Sequence, residues 1–168
     1  MPSKSTLRAA RRDARRGRSA STQAGEFVRE EIHHIRSGKH GARSTKQAIA
    51  IGLSKARRAG VHLRTPKKGT VSAETRDQAR RDSARGRSRK KPSPSRSRGV
   101  LRALRREPHG AASRAALTQQ ARSTARRRGH RQMAAAARKA VRTKGRRGRV
   151  AAARKAARTR RMRKGRRG

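Results

Sequence analysis

The chain has 168 residues, 53 of them Lys or Arg against 8 Asp or Glu, for a net charge of +45; it holds one Phe, no Trp, no Tyr and no Cys. Disulfides and thiolate metal sites are thereby excluded. So is a base-stacking platform of the kind that reads single strands. Large aliphatics are scarce, and alanine buries little area against a cost of roughly 1–2 kcal/mol per ordered residue. The composition therefore predicts an all-α chain with little core, in which much of the length is disordered, or helical only when its charge is neutralised.

In chain order, an arginine-rich helix is expected over 5–16. In "GEFVREEIHHIRSG" (25–38), Val28, Ile32 and Ile35 recur at helical spacing with Phe27 beside them, and Ser37-Gly38 stops the run. After "SGKHGAR", Ser44 or Thr45 caps a second helix, with Gln47 as capping-box partner. Ile49, Leu53 and Ala56 form its expected stripe, and Gly60 with Val61 reads as a glycine C-cap and its apolar contact. These two helices form an antiparallel hairpin over 26–60. A second basic helix is expected over 72–85, then an extended Ser/Pro/Arg linker, "GRSRKKPSPSRSRG" (86–99). A weaker pair follows, from "VLRALRRE" (100–107) and "SRAALTQQARSTARRRG" (113–129).

That order repeats itself. "ARRDARRGRS" at 10–19 returns as "ARRDSARGRS" at 79–88, and "HGA" at 40–42 returns at 109–111. Ser44 falls on Ser113, Arg57-Arg58 on Arg126-Arg127 and Gly60 on Gly129, all in one gapless register with about twenty identities between 1–60 and 70–129. The register predicts two diverged repeats, 1–69 and 70–130, each of net charge +14. Residues 131–168 form an Ala/Arg/Lys tail of net +17 without an acid, in which "AAARKAVRT" (135–143) returns as "AAARKAART" (151–159). Alanine and arginine favour helix, but adjacent like charges repel. The tail is therefore expected to be disordered in water and helical on a polyanion.

Little here resembles catalytic machinery. There is no cysteine nucleophile, no glycine-rich loop behind a strand, and no carboxylate after Glu107. An enzyme is not expected, and neither is a cofactor. Glu30, Glu31, His33 and His34 are the one cluster with metal-ligand chemistry, and only His40 could extend it. Ion pairing of the carboxylates with Arg29, Arg36 or Lys39 is the expected use, with no metal. The three Arg-Gly-Arg triplets (16–18, 85–87 and 147–149) read as flexible basic turns rather than minor-groove hooks.

The segment 26–61, and "KQAIAIGLSKAR" (46–57) in particular, resembles a short module of small basic bacterial proteins of uncharacterised function, some labelled plasmid stabilisation proteins. The resemblance implies a bacterial source and carries over no catalytic residue. The tail is similar in composition to linker-histone tails and bacterial histone-like extensions.

Charge and composition together predict non-specific binding of nucleic acid, foremost duplex DNA, by phosphate neutralisation, with a cytoplasmic, nucleoid-associated, histone-like role. The expected contacts are Arg57, Arg58, Arg126 and Arg127 at matching helix ends, then Arg11, Arg12, Arg80 and Arg81, then Arg146, Arg147, Arg149, Arg160, Arg161, Arg166 and Arg167 in the tail. Two alternatives remain. One is a protein-interaction or self-association module that docks through the 44–61 helix and the apolar set Phe27, Val28, Ile32, Ile35, Ile49, Leu53 and Val61. The other is an RNA- or ribosome-associated basic protein. No run approaches the ~20 apolar residues of a membrane span.

Overall fold

A computed structural model describes residues 2–88 and 93–164 of the chain. The fold is all-α: α1 (Lys4–Arg15), α2 (Ala20–Arg36), α3 (Thr45–Arg58), α4 (Ala73–Arg87), α5 (Pro94–Arg105), a single 3₁₀ turn (Gly110–Ala112) and α6 (Arg114–Lys164). Two compact units divide it, residues 1–120 and 121–168.

Serine starts most of these helices. Ser3, Ser19, Ser44 and Ser72 are N-caps whose hydroxyls accept from the backbone N–H of Thr6, Thr22, Gln47 and Thr75. Ser113 accepts in the same way from Ala116 N. Each such cap contributes about 1 kcal/mol by satisfying a donor that the first helical turn leaves open. Gln47 returns the favour to the chain entering α3, its Oε1 accepting from Arg43 N at 2.6 Å. At the other end, Gly60 has φ 88°, and the paired bonds Val61 N to Ala56 O and Gly60 N to Arg57 O close a Schellman motif. Val61 is buried by it, against Ala56.

The first unit is organised around the α2–α3 pair. One apolar cluster joins Ala10 of α1, Ala24 and Phe27 of α2, Ala56 of α3 and Val61, with Leu7, Leu53 and Leu63 packed against it. A second joins Ile32, Ile35, Ala42, Ala48 and Ala112, with Val28 and Leu117 alongside. The expected stripe of α3 is displaced. The buried line is Thr45, Ala48, Gly52 and Ala56, while Ile49, Ile51 and Leu53 are only half-buried. Small residues form that line because the helices cross closely. A Cβ on Gly52 would stand 2.7 Å from Val28 Cα.

Helix boundaries keep the 69-residue offset of the sequence repeat. α1 and α4 begin at Lys4 and Ala73, α2 and α5 end at Arg36 and Arg105, and α3 and α6 begin at Thr45 and Arg114. The packing does not keep it. The pair expected from 100–107 and 113–129 makes no helix–helix face, and α5 packs on no other helix among the described residues. In place of Ile49 and Leu53 its second member carries Thr118 and Arg122, so it has too little apolar surface to close a hairpin of its own.

Its parts lean on the first hairpin instead. α4 packs on α3. Thr45 Oγ1 donates to Ala111 O, Arg36 Nε donates to Ala112 O, and Gly41 N–H donates to Leu104 O. Gly41 sits so tightly on the end of α5 that any Cβ would lie 1.7 Å from Glu107 O. The linker expected over 86–99 is also partly helical. Gly86 and Arg87 finish α4, and Pro94 to Gly99 open α5 with proline in its first turn, where its missing N–H has no intrahelical partner to lose. Residues 89–92 of that linker lie outside the described residues.

α6 runs from Arg114 to Lys164, with backbone breaks at Gly129 (φ 68°) and Gly145 (φ 59°). The part of it in the second unit therefore consists of helical stretches punctuated by glycine.

Candidate nucleic-acid interface

α6 contains twenty Lys and Arg and no acid. Every basic residue from Arg114 to Arg161 is exposed. Among the tail residues expected to contact phosphate, Arg146, Arg147, Arg149, Arg160 and Arg161 are on this exposed surface, as are Arg126 and Arg127. Arg127 is lightly held by Ser123 Oγ, at 3.1 Å from Nη1. Arg166 and Arg167 lie outside the described residues.

The first unit has its own exposed arginines. Arg11 and Arg12 project from α1 and Arg80 and Arg81 from α4. Arg80 makes only a loose 3.6 Å pair with the half-exposed Asp77, which bulk water and salt screen to little.

Arg57 and Arg58 stand differently. Arg57 is buried, its Nη2 donating to Arg64 O at 3.4 Å, and burial pulls its guanidinium below the usual arginine range while Asp82 pushes the other way. Arg58 pairs with Asp82 at 3.0 Å and donates to Ser54 Oγ. Asp82, itself 1% exposed, also accepts from Ser54 and Gln78. Arg58 thus ties α3 to α4 through Asp82 while its side chain stays partly exposed, and Arg57 is held within the fold by the Arg64 carbonyl. Their counterparts Arg126 and Arg127 carry no such duty. Sequence spacing showed the matched positions; it could not show that only one pair faces a buried aspartate.

Carboxylates are largely consumed within the fold. Asp13 pairs with Arg18, Glu26 with Arg29, Glu31 with Lys55, Asp77 with Arg80 and Asp82 with Arg58, while Glu30 accepts from Ser3 N and Glu31 also faces His40. Of the pairings expected for the α2 cluster, Arg36 is turned to Ala112 O, and Glu31 takes Lys55 from the facing helix.

That α2 cluster gathers several buried polar groups. Glu31 is fully buried, and His40 nearly so. Glu31, His34 and His40 each place one ligand-capable atom within 4.8 Å of the others. Burial, then the nearby charges of Lys39 and Lys55, lowers the His34 pKa below its ordinary value, so the ring is neutral at neutral pH. For Glu30, burial alone would raise the pKa, but hydrogen bonds from Ser3 and the proximity of His34 and Lys55 outweigh it and hold the carboxylate ionised.

The apolar set is almost wholly internal. Phe27, Ile32, Ile35 and Val61 are buried, and Val28 and Leu53 pack against the two clusters.

A family model matches residues 15–70. Its description is a family of unknown function, DUF6496. The match spans α2, α3 and the whole Glu31–His40–Lys55 cluster, about a third of the chain. No curated protein and no solved structure matches.

Proposed function

We propose that the chain binds duplex nucleic acid, DNA in the first instance, without sequence preference, as a nucleoid-associated, histone-like protein. The observation that carries this reading is α6: twenty cationic residues, no acid, and its basic side chains exposed from Arg114 to Arg161. A helix this basic repels itself in water and is relieved beside a phosphate backbone, where each neutralised phosphate also releases counterions.

Two further points favour duplex over single strand, and DNA over RNA. The sole aromatic, Phe27, is 1% exposed in the core and offers no stacking surface. The major groove of B-DNA admits an α-helix, whereas that of A-form RNA is too narrow to take one. Docking of a protein partner through Leu53 and Val61 has less support, since both belong to the hairpin's own packing.

Competition tests the reading. Protein freed of nucleic acid by nuclease and high salt is bound to a labelled duplex and challenged with unlabelled duplexes of unrelated sequence, or with structured RNA of equal charge. Equal displacement by all DNA duplexes and weaker displacement by RNA are expected. Preferential displacement by RNA would move the protein to the RNA-associated class.

A further inference from the structure

The two carboxylate oxygens of Glu31 are engaged differently. Lys55 occupies one carboxylate oxygen, Oε2. The other, Oε1, is buried and accepts no hydrogen bond. What faces it is His40 Nε2, at 3.1 Å.

The state of that imidazole is constrained from its other side. His40 Nδ1 lies 3.0 Å from the Gly41 carbonyl oxygen. A carbonyl only accepts, so Nδ1 carries the hydrogen. With Nδ1 so occupied, Nε2 is the ring atom left facing Glu31 Oε1, and either a proton on Nε2 or a metal ion between the two atoms would satisfy both. A backbone carbonyl receiving the far N–H is also the arrangement that orients metal-binding histidines.

We propose that Glu31, His34 and His40 bind one divalent transition-metal ion of the zinc type. Two imidazoles and one carboxylate are a donor set suited to zinc rather than to the oxygen-seeking calcium or magnesium. Tetrahedral bonds of about 2.0–2.2 Å put neighbouring donor atoms about 3.3–3.6 Å apart. The Glu31–His40 separation is already near this value, and all three donors fit within 4.8 Å. His34 stands one helical turn along α2 from Glu30 and supplies the second imidazole. Its side chain is 18% exposed, which leaves water as the fourth ligand on that side.

The ion would staple α2, which supplies Glu31 and His34, to the loop that supplies His40. Gly41 and Ala42 of that loop bond to Leu104 O and Pro108 O, so the staple also fixes the surface on which residues 104–108 rest. This inference stands whether or not the chain binds DNA.

Calorimetric titration with zinc chloride tests it, on the full untagged chain stripped of metal by chelator and of nucleic acid by high salt. One ion per chain is expected, with affinity at least tenfold weaker in His40→Gln and in His34→Gln and unchanged in His33→Gln and His62→Gln. Zinc-edge absorption of the wild-type complex should show two imidazole ligands. His40 is buried, so circular dichroism must first show that His40→Gln is folded; the more exposed His34→Gln serves if it is not. Absence of saturable one-to-one binding at about 100 μM zinc overturns the proposal. Binding that survives His34→Gln at full strength overturns it equally, because the ion is then held elsewhere.

Discussion

Gly52 and Gly25 lie on facing helices, and the same substitution at each should move stability in opposite directions. Replacing a mid-helix glycine by alanine gains about 1 kcal/mol of helix propensity. At Gly25 on α2 nothing lies within 4 Å of the added Cβ, so Gly25→Ala should keep that gain. At Gly52 on α3 the Cβ would meet Val28 Cα at 2.7 Å, Val28 Cγ2 at 2.9 Å and Val28 N at 3.0 Å. Two of those three atoms are backbone, so no rotamer change relieves them.

To reach an ordinary separation of about 3.4 Å the helices must part by about 0.7 Å, opening contacts along the Ala48–Gly52–Ala56 line. Overpacking of this kind costs about 1–3 kcal/mol, and the backbone clash places Gly52→Ala toward the upper end. Subtracting the propensity gain leaves a net loss of about 1–2 kcal/mol. The two variants should therefore differ by about 2–3 kcal/mol, a factor of roughly 30–150 in the folding equilibrium. Urea unfolding followed by circular dichroism measures this as midpoints on either side of wild type, with unchanged slope. A Gly52→Ala variant as stable as Gly25→Ala would refute the close α2–α3 crossing.

Other outcomes follow from the same packing. Asp82→Ala removes the acceptor shared by Ser54, Gln78 and Arg58 and the one carboxylate offsetting buried Arg57; it should cost about 1–3 kcal/mol and speed amide exchange in α4 more than in α2. Leu53→Asp should lower stability without changing the oligomeric state in light scattering, because Leu53 packs on the chain's own core; a dimer lost on mutation would instead identify a docking face. Circular dichroism of the full chain should show more helix when duplex DNA is added, as the repulsion along α6 is neutralised; an unchanged spectrum would mean that the tail does not depend on a polyanion for its structure.

Local signals in the sequence located the helices well. The cap Ser44, its partner Gln47 and the Gly60–Val61 terminus each act within a few residues of one another, so short-range spacing was enough to place α3. What faces what was harder. Counting large aliphatics put Ile49 and Leu53 on the stripe beside Ala56; Ala56 is buried as expected, but close crossing selects Ala48 and Gly52 in place of the two aliphatics, and their smallness is invisible to a hydrophobic pattern. Glu31 was visible as a candidate ligand but not as a buried group, since its partners Lys55 and His40 come from the facing helix and the intervening loop. The expectation for Arg57 and Arg58 failed to anticipate Asp82, 24 residues further on, for a similar reason. The borrowing between repeats was foreshadowed only by the loss of aliphatics in the second.

The most direct test of the central claim is the salt dependence of binding. Affinity of the full chain for a labelled duplex is measured by anisotropy across a series of salt concentrations. With about ten phosphates neutralised, log affinity should fall linearly with log salt at a slope near −9, the same for duplexes of unrelated sequence. An affinity that does not change with salt would contradict the account.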